Sequence, residues 1–185
     1  MLRRLLLLGM ALLLSACETT QVNHDFDASR DFASYRSWSW KEPGLQYRPN
    51  DPRIKSDLTE QRIRQAVAEQ LDQRGLRQAA AGSKADLQVQ TYLIVDNRQQ
   101  QVSTQYGGPW GGPWGGYWGP AMYNETRSVD YQVGTLQIDL LDARDGKLVW
   151  RGSAEQIVNP RPTPAERNAA IHNAASKILS NYPPK

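Results

Sequence analysis

The 185-residue chain is poor in the residues that most chemistry needs: it holds one cysteine, two histidines and two phenylalanines. A single thiol excludes any intramolecular disulfide, whatever the redox compartment. His24 and His172 stand in different elements without a cysteine or carboxylate at ligand spacing, so the chain shows no zinc pattern. No GxSxG, SxxK or Cys-His arrangement sets up a nucleophile. A glycine-rich run lacks GK[ST] and any neighbouring basic residue, which excludes a phosphate cradle. The sequence therefore predicts no catalytic residue, no metal and no cofactor. Long apolar runs are missing too. The only one, Leu5 to Leu14, is shorter than the roughly 20 residues that span a bilayer. Charge of one sign is also scarce, with a formal net charge of +3. Setting Arg3 and Arg4 aside from the 22 basic residues leaves 20 against 19 acidic ones, a balance near +1. Such a chain has no net electrostatic drive toward nucleic acid.

What is present begins with "MLRRLLLLGMALLLSACETT". Arg3 and Arg4 precede the apolar run, and Ser15-Ala16 place small residues before Cys17, the plan of a secretory signal. The block "LSAC" resembles the lipobox of bacterial lipoproteins. That resemblance implies cleavage before Cys17, a diacylglycerol thioether on its sulfur and an acyl group such as palmitate on its new amino group. Several acyl chains, at about 0.8 kcal/mol per buried methylene, anchor a protein durably. Lipoprotein sorting resembles a rule in which Asp directly after the cysteine favours the inner membrane. Glu18 stands there, so the expectation is an outer-membrane protein facing the periplasm. The expected organisation is a signal peptide over 1–16, a lipidated tether over 17–24 and one domain over 25–182.

Within that domain, Val22, His24 and Phe26 alternate, and "YRSWSW" puts Trp38 and Trp40 on one strand face. "KEPGLQYRPNDP" reads as an irregular connection. Asp57-Leu58-Thr59-Glu60 reads as a capping box with an acidic cap. Ile63, Ala66, Val67, Gln70 and Leu71 then recur at helical spacing, with Gly75 and Leu76 ending the helix. "ADLQVQTYLIVDN" is the clearest strand, and "RQQQVSTQY" extends it as a polar edge. "RSVDYQVGTLQIDLLDARDGKLVWRGSAEQIV" reads as a long hairpin, with a β-bulge at Gly134, where the apolar phase switches, and an Asp-Gly turn. Leu148, Trp150, Ala154 and Val158 line its returning strand. "TPAE" caps a last helix whose stripe is Ile171, Ala174, Ala175, Ile178, Leu179 and Tyr182. This order predicts an α+β fold: a mostly antiparallel sheet of about four to five strands with two helices packed on one face.

The runs "DFDASRDFASYRSWSW", "DLTEQRIRQAVAEQLDQRGL" and "ADLQVQTYL" resemble bacterial lipoproteins of the domain-of-unknown-function family 4136. The likeness covers roughly residues 22 to 182. It implies a small α+β domain of the cell envelope and no activity.

Asp25, Asp27 and Asp31 cluster early in the fold. Their expected role is to cap turns by accepting backbone N–H bonds, and an acid-cluster hydrolase is the weaker alternative. The stretch "GGPWGGPWGGYWGP", residues 107–120, repeats Trp110, Trp114 and Trp118 every four residues beside Tyr117. Glycine and proline exclude a stable helix or central strand there. These rings suit a bilayer headgroup zone, a protein partner or a sugar face. The alternative is a low-complexity loop folding loosely on its own domain. The favoured reading is a non-enzymatic interaction or assembly module, with the membrane as partner through acyl chains on Cys17 and an envelope protein as a further one. A module binding peptidoglycan or lipopolysaccharide sugars is the alternative.

Overall fold

A computed structural model describes residues 20–80, 82–106 and 123–184. Cys17 and the segment 107–120, with Trp110, Trp114, Tyr117 and Trp118, lie outside the described residues. The elements are β1 (Gln21–Phe26), β2 (Ser37–Arg48), α1 (Asp57–Gln73), β3 (Arg77–Gln78), β4 (Leu87–Tyr106), β5 (Tyr123–Asp142), β6 (Leu148–Ile157) and α2 (Pro164–Leu179). β1 includes residues 21–24, which the sequence reading assigned to the tether.

The strands form one curled sheet in the order β1-β6-β5-β4-β2-β3. β1, β6, β5 and β4 pair antiparallel, whereas β2 runs parallel to both β4 and β3. The fold is thus α+β with two helices, but the sheet is six-stranded and mixed rather than mostly antiparallel with four to five strands. α1 supplies the reason for the parallel junction. It is the crossover between β2 and β4, and a strand returning from a helical crossover lies parallel to the one that entered it.

"KEPGLQYR" belongs to β2 rather than to an irregular connection. Between Trp40↔Val89 and Leu45↔Thr91, β2 advances five positions while β4 advances two. The bulge absorbs Pro43 and Gly44, which an unbroken ladder would not accommodate. Their carbonyls accept instead from the side chains of Gln90 and Thr91, the latter at 2.7 Å, which satisfies two buried polar residues.

One row across the sheet shows how the core forms. Trp40, Val89, Leu140, Trp150 and Phe26 stand opposite one another on five strands. The next rows on that face carry Leu45, Thr91, Ile138 and Gly152, then Tyr47, Leu93, Leu136, Ala154 and Val22. Ile63, Val67 and Leu71 of α1 and Ala175, Ile178 and Leu179 of α2 bury against them. The opposite face is polar, as in the row Gln46, Tyr92, Gln137, Ser153, Asn23.

Both helices end largely as their sequences dictate. α1 stops in a Schellman arrangement: Leu76 N–H donates to Leu71 C=O at 3.1 Å and Gly75 N–H to Asp72 C=O at 3.0 Å, with Gly75 at φ +84°. Its cap is Ser56, whose Oγ accepts from Thr59 N–H, and not Asp57, because the turn begins one residue earlier. α2 carries the full capping box of Thr163 and Glu166.

Three details of the hairpin differ from the sequence reading. β5 has no bulge at Gly134: its register with β4 is unbroken, and the phase switch moves apolar side chains from one sheet face to the other. Gly134 instead makes room for Val158, whose Cγ2 would lie 3.1 Å from an added Cβ. The irregularity falls at Leu140/Leu141, which exposes Leu148 and buries Val149 beside Trp150. In the β5–β6 turn only Gly146 has positive φ, and the turn is longer than a two-residue Asp-Gly loop because Asp142 N–H closes it on Lys147 C=O at 2.9 Å.

Candidate interaction surface at one end of the sheet

β4 and β5 outrun every other strand. β2 pairs with β4 only as far as Ile94, and β6 pairs with β5 only from Val133. Beyond that limit the two continue as a twin-stranded arm, from Asn97↔Gln132 to Tyr106↔Tyr123. At about 3.4 Å per residue, the stretch from Asn97 to Tyr106 carries the end of the arm about 30 Å past the body. The polar run "RQQQVSTQY" does extend the strand, as expected, and its partner is Tyr123–Tyr131.

The arm's two faces differ in chemistry. Arg98, Gln100, Val102 and Thr104 share one with Tyr131, Val129, Arg127 and Glu125. The other carries Asn97, Gln99, Gln101 and Ser103 with Gln132, Asp130, Ser128 and Thr126. Val102 is 43% and Val129 46% exposed on the first face. The root is braced. Arg98 forks onto Glu155 at 2.6 and 2.9 Å, Val158 N–H donates to Gln132 C=O at 2.8 Å, and Gln132 Nε2 donates to Asn97 Oδ1 at 3.0 Å.

The chain also enters the fold at this end. Gln21 pairs with Glu155, Glu155 with Thr135 and Thr135 with Ile94, so β1 begins just short of the row where the arm leaves. Lys177 Nζ donates to Thr20 Oγ1 at 2.8 Å and holds the entry against α2. Beside it, between the helices and the sheet, lies an open cleft of about 780 Å³ floored by Ile63, Leu93, Leu136, Ala154, Val158 and Ile171.

The opposite end of the sheet carries the acids. Asp27 and Asp31 accept from the backbone N–H of Ser29 and Ala33 at 3.0 Å, the turn-capping role read from sequence, whereas Asp25 stands inside β1 and accepts only from its neighbour Phe26 N–H at 2.9 Å, capping no turn. A residue that the sequence reading passed over organises this end. Asp142, its side chain fully buried, accepts from Arg144 Nη2 at 2.7 Å and Nε at 3.0 Å, from Tyr35 Oη at 3.0 Å and from Arg30 Nη1 at 3.2 Å. The Arg144 guanidinium, ahead of the other donors, holds the Asp142 carboxyl well below the usual carboxylate range. Burial, and then the bond to Asp142, pushes the Tyr35 hydroxyl up. Asp86 is held down in the same way, first by Arg36 N–H and then by the Ser37 hydroxyl. A carboxylate matched this closely by donors is a staple: it ties the β5–β6 turn to the β1–β2 connection. "DARDGK" held the signal, since an Asp two residues before Arg folds back on it, but Tyr35 and Arg30 are distant in sequence.

The two histidines lie apart: His24 is exposed on β1, and His172 on α2 has Nδ1 3.4 Å from Glu69 Oε2 on α1. Among the described residues, no three His, Cys, Asp or Glu side chains are grouped to hold a metal. No described helix is long and apolar enough to cross a membrane.

Two solved structures share the fold. A PDZ domain protein from Parabacteroides distasonis matches over 96% of this chain at 14% identity and a TM-score of 0.55; this chain spans 39% of that protein's length. A DUF4136 family protein from Bacteroides thetaiotaomicron matches over 89% of this chain and 96% of its own at 18% identity, with a TM-score of 0.53. No curated protein matches the sequence. The model of the family "Domain of unknown function (DUF4136)" matches residues 22–184, from the first strand to past the last helix, and the chain belongs to that family.

Proposed function

We propose that this protein is a lipid-anchored, non-enzymatic interaction module of the outer membrane, facing the periplasm, whose contact surface is the glycine-tryptophan segment carried by the arm. The observation that carries the reading is the arm itself. Its strands are paired up to Tyr106↔Tyr123, so the ends of the segment between them are held about 30 Å past the body. A segment with three tryptophans on so long a paired stem is suited to reach something outside its own domain. Tryptophan, with an apolar body and a polar N–H, suits the interfacial zone of a bilayer and the centre of a protein contact.

Chain reach adds an orientation. Cys17 lies four residues before Gln21, so the intervening chain spans at most about 14 Å. The arm is about twice as long as that and leaves just beyond the row where the tether enters. An arm pointing straight at the bilayer would drive polar, unpaired strand edges into hydrocarbon, which is strongly unfavourable. An arm that meets the bilayer therefore slants along its surface, with its Tyr106↔Tyr123 end at headgroup level.

The test is in-cell photo-crosslinking from a probe at Trp114. The reading predicts capture of lipid or of an envelope protein. A second variant deletes Gln99–Val102 together with Arg127–Asp130, four register-matched pairs, and so shortens the arm by about 14 Å with its pairing kept. Capture should then fall sharply. Crosslinks confined to the protein's own body, or unchanged capture by the short arm, would refute the proposal.

A further inference from the structure

Past Ile94, β4 has β5 on one side and no other strand of the described chain on the other. An isolated two-stranded ribbon is marginally stable in water, and its free edge is a template for another strand. Proteins ordinarily blunt such an edge with lysine, proline, bulges or short strands. This one has none of these. From Gln99 to Tyr106 it carries no charged residue, no proline and no glycine, and all twenty of its pairs with β5 are in unbroken register. The other side of the arm is protected: β5 bears Glu125, Arg127 and Asp130, and its Gln132 carbonyl is already occupied by Val158 N–H.

We propose that the free edge of β4 docks on the same edge of a second copy of this chain, the two arms pairing antiparallel about a two-fold axis near Gln101 and Val102. The sequence of the edge suits itself. An axis perpendicular to the ribbon keeps each face with its like, because directly opposed residues then share parity. Centred on Gln101, it opposes Gln101 to Gln101, Gln99 to Ser103, Gln100 to Val102 and Arg98 to Thr104. Centred on Val102, it opposes Val102 to itself, Gln101 to Ser103 and Gln100 to Thr104. Neither register sets like charges against each other, and both place amide or hydroxyl groups where they hydrogen-bond across strands. Each covers the exposed Val102. The result is a four-stranded band with β4 inside it, each body lying past the end of the other's paired strands.

The test takes the full chain in a density-matched detergent and measures its protein mass by sedimentation equilibrium. The wild type should weigh two chains. Gln101→Lys with Ser103→Lys faces lysines across the axis and should weigh one; Gln101→Glu with Ser103→Glu should do the same. Mixing the two variants opposes Lys to Glu in either register and should restore the two-chain mass. Circular dichroism matching the wild type confirms that each variant is folded. With Cys17 replaced by Ser, Gln101→Cys and Val102→Cys supply a second readout: whichever stands on the axis forms an interchain disulfide under mild oxidation. A wild type of one-chain mass, a lysine variant that keeps two chains, or a mass above two chains would overturn the proposal. This outcome is independent of lipid attachment.

Discussion

Replacing Asp142 with asparagine removes one charge from the staple and leaves its shape intact. The change keeps one carbonyl acceptor but turns an amino group toward the donors of Arg30, Tyr35 and Arg144. Hydrogen bonds to charged groups contribute about 1.5–3 kcal/mol each, and an unmade one costs most when both partners are buried. Arg144 is 73% exposed and rehydrates, and Arg30 keeps its bonds to Asp27 and Asp145, so neither arginine is stranded and the net loss is about 2–3 kcal/mol. At about 2–4 °C per kcal/mol for a domain of this size, Tm at pH 7 should fall by about 5–10 °C. Acidity sharpens the test. Because the folded state depresses the Asp142 pKa, its stabilisation is complete above the unfolded value near 4 and is lost as pH falls from there toward the lower folded value. The gap between wild type and Asp142→Asn, followed by calorimetry from pH 7 to pH 2, should therefore narrow on the acid side. A gap that stays constant across that range, or a Tm at pH 7 within about 2 °C of the wild type, would refute the reasoning.

Two further outcomes test the architecture. In Gly152→Ala, the new Cβ would lie 2.6 Å from Ile178 Cγ2 and run into the Trp150 ring, both fully buried, so overpacking should cost about 1–3 kcal/mol in a urea titration. An unchanged midpoint would show that α2 does not seat on the sheet at that point. Removing residues 107–120 should leave the melting curve nearly intact, because the flanking residues Tyr106 and Tyr123 pair at the far end of the arm, away from the core. A large fall in Tm would mean that those tryptophans pack on the body.

What the sequence disclosed depended on range. Local signals were legible: the Thr163–Glu166 box, Gly75 ending a helix and the alternation from Leu87 to Val95 all depend on neighbours within a few positions. β2 past Trp40 was not, because Pro43 and Gly44 look like loop residues until Gln90 and Thr91 are brought across to bond their carbonyls. β3 was hidden by its brevity, and the mixed sheet followed from α1 acting as a crossover. The arm was half visible. The polar extension of β4 could be read, but its register with residues 123–132 could not, because one face is wholly polar and the other only partly apolar. Asp142 was missed for the same reason of distance: two of its three partners stand more than a hundred residues away.

The claim on which the functional account rests is the acylation of Cys17, and intact mass spectrometry of the protein purified from membranes tests it most directly. The account predicts a chain that begins at Cys17 and carries a diacylglyceryl thioether and an acylated amino group. A chain with its leader retained, or one with an unmodified Cys17, would contradict it.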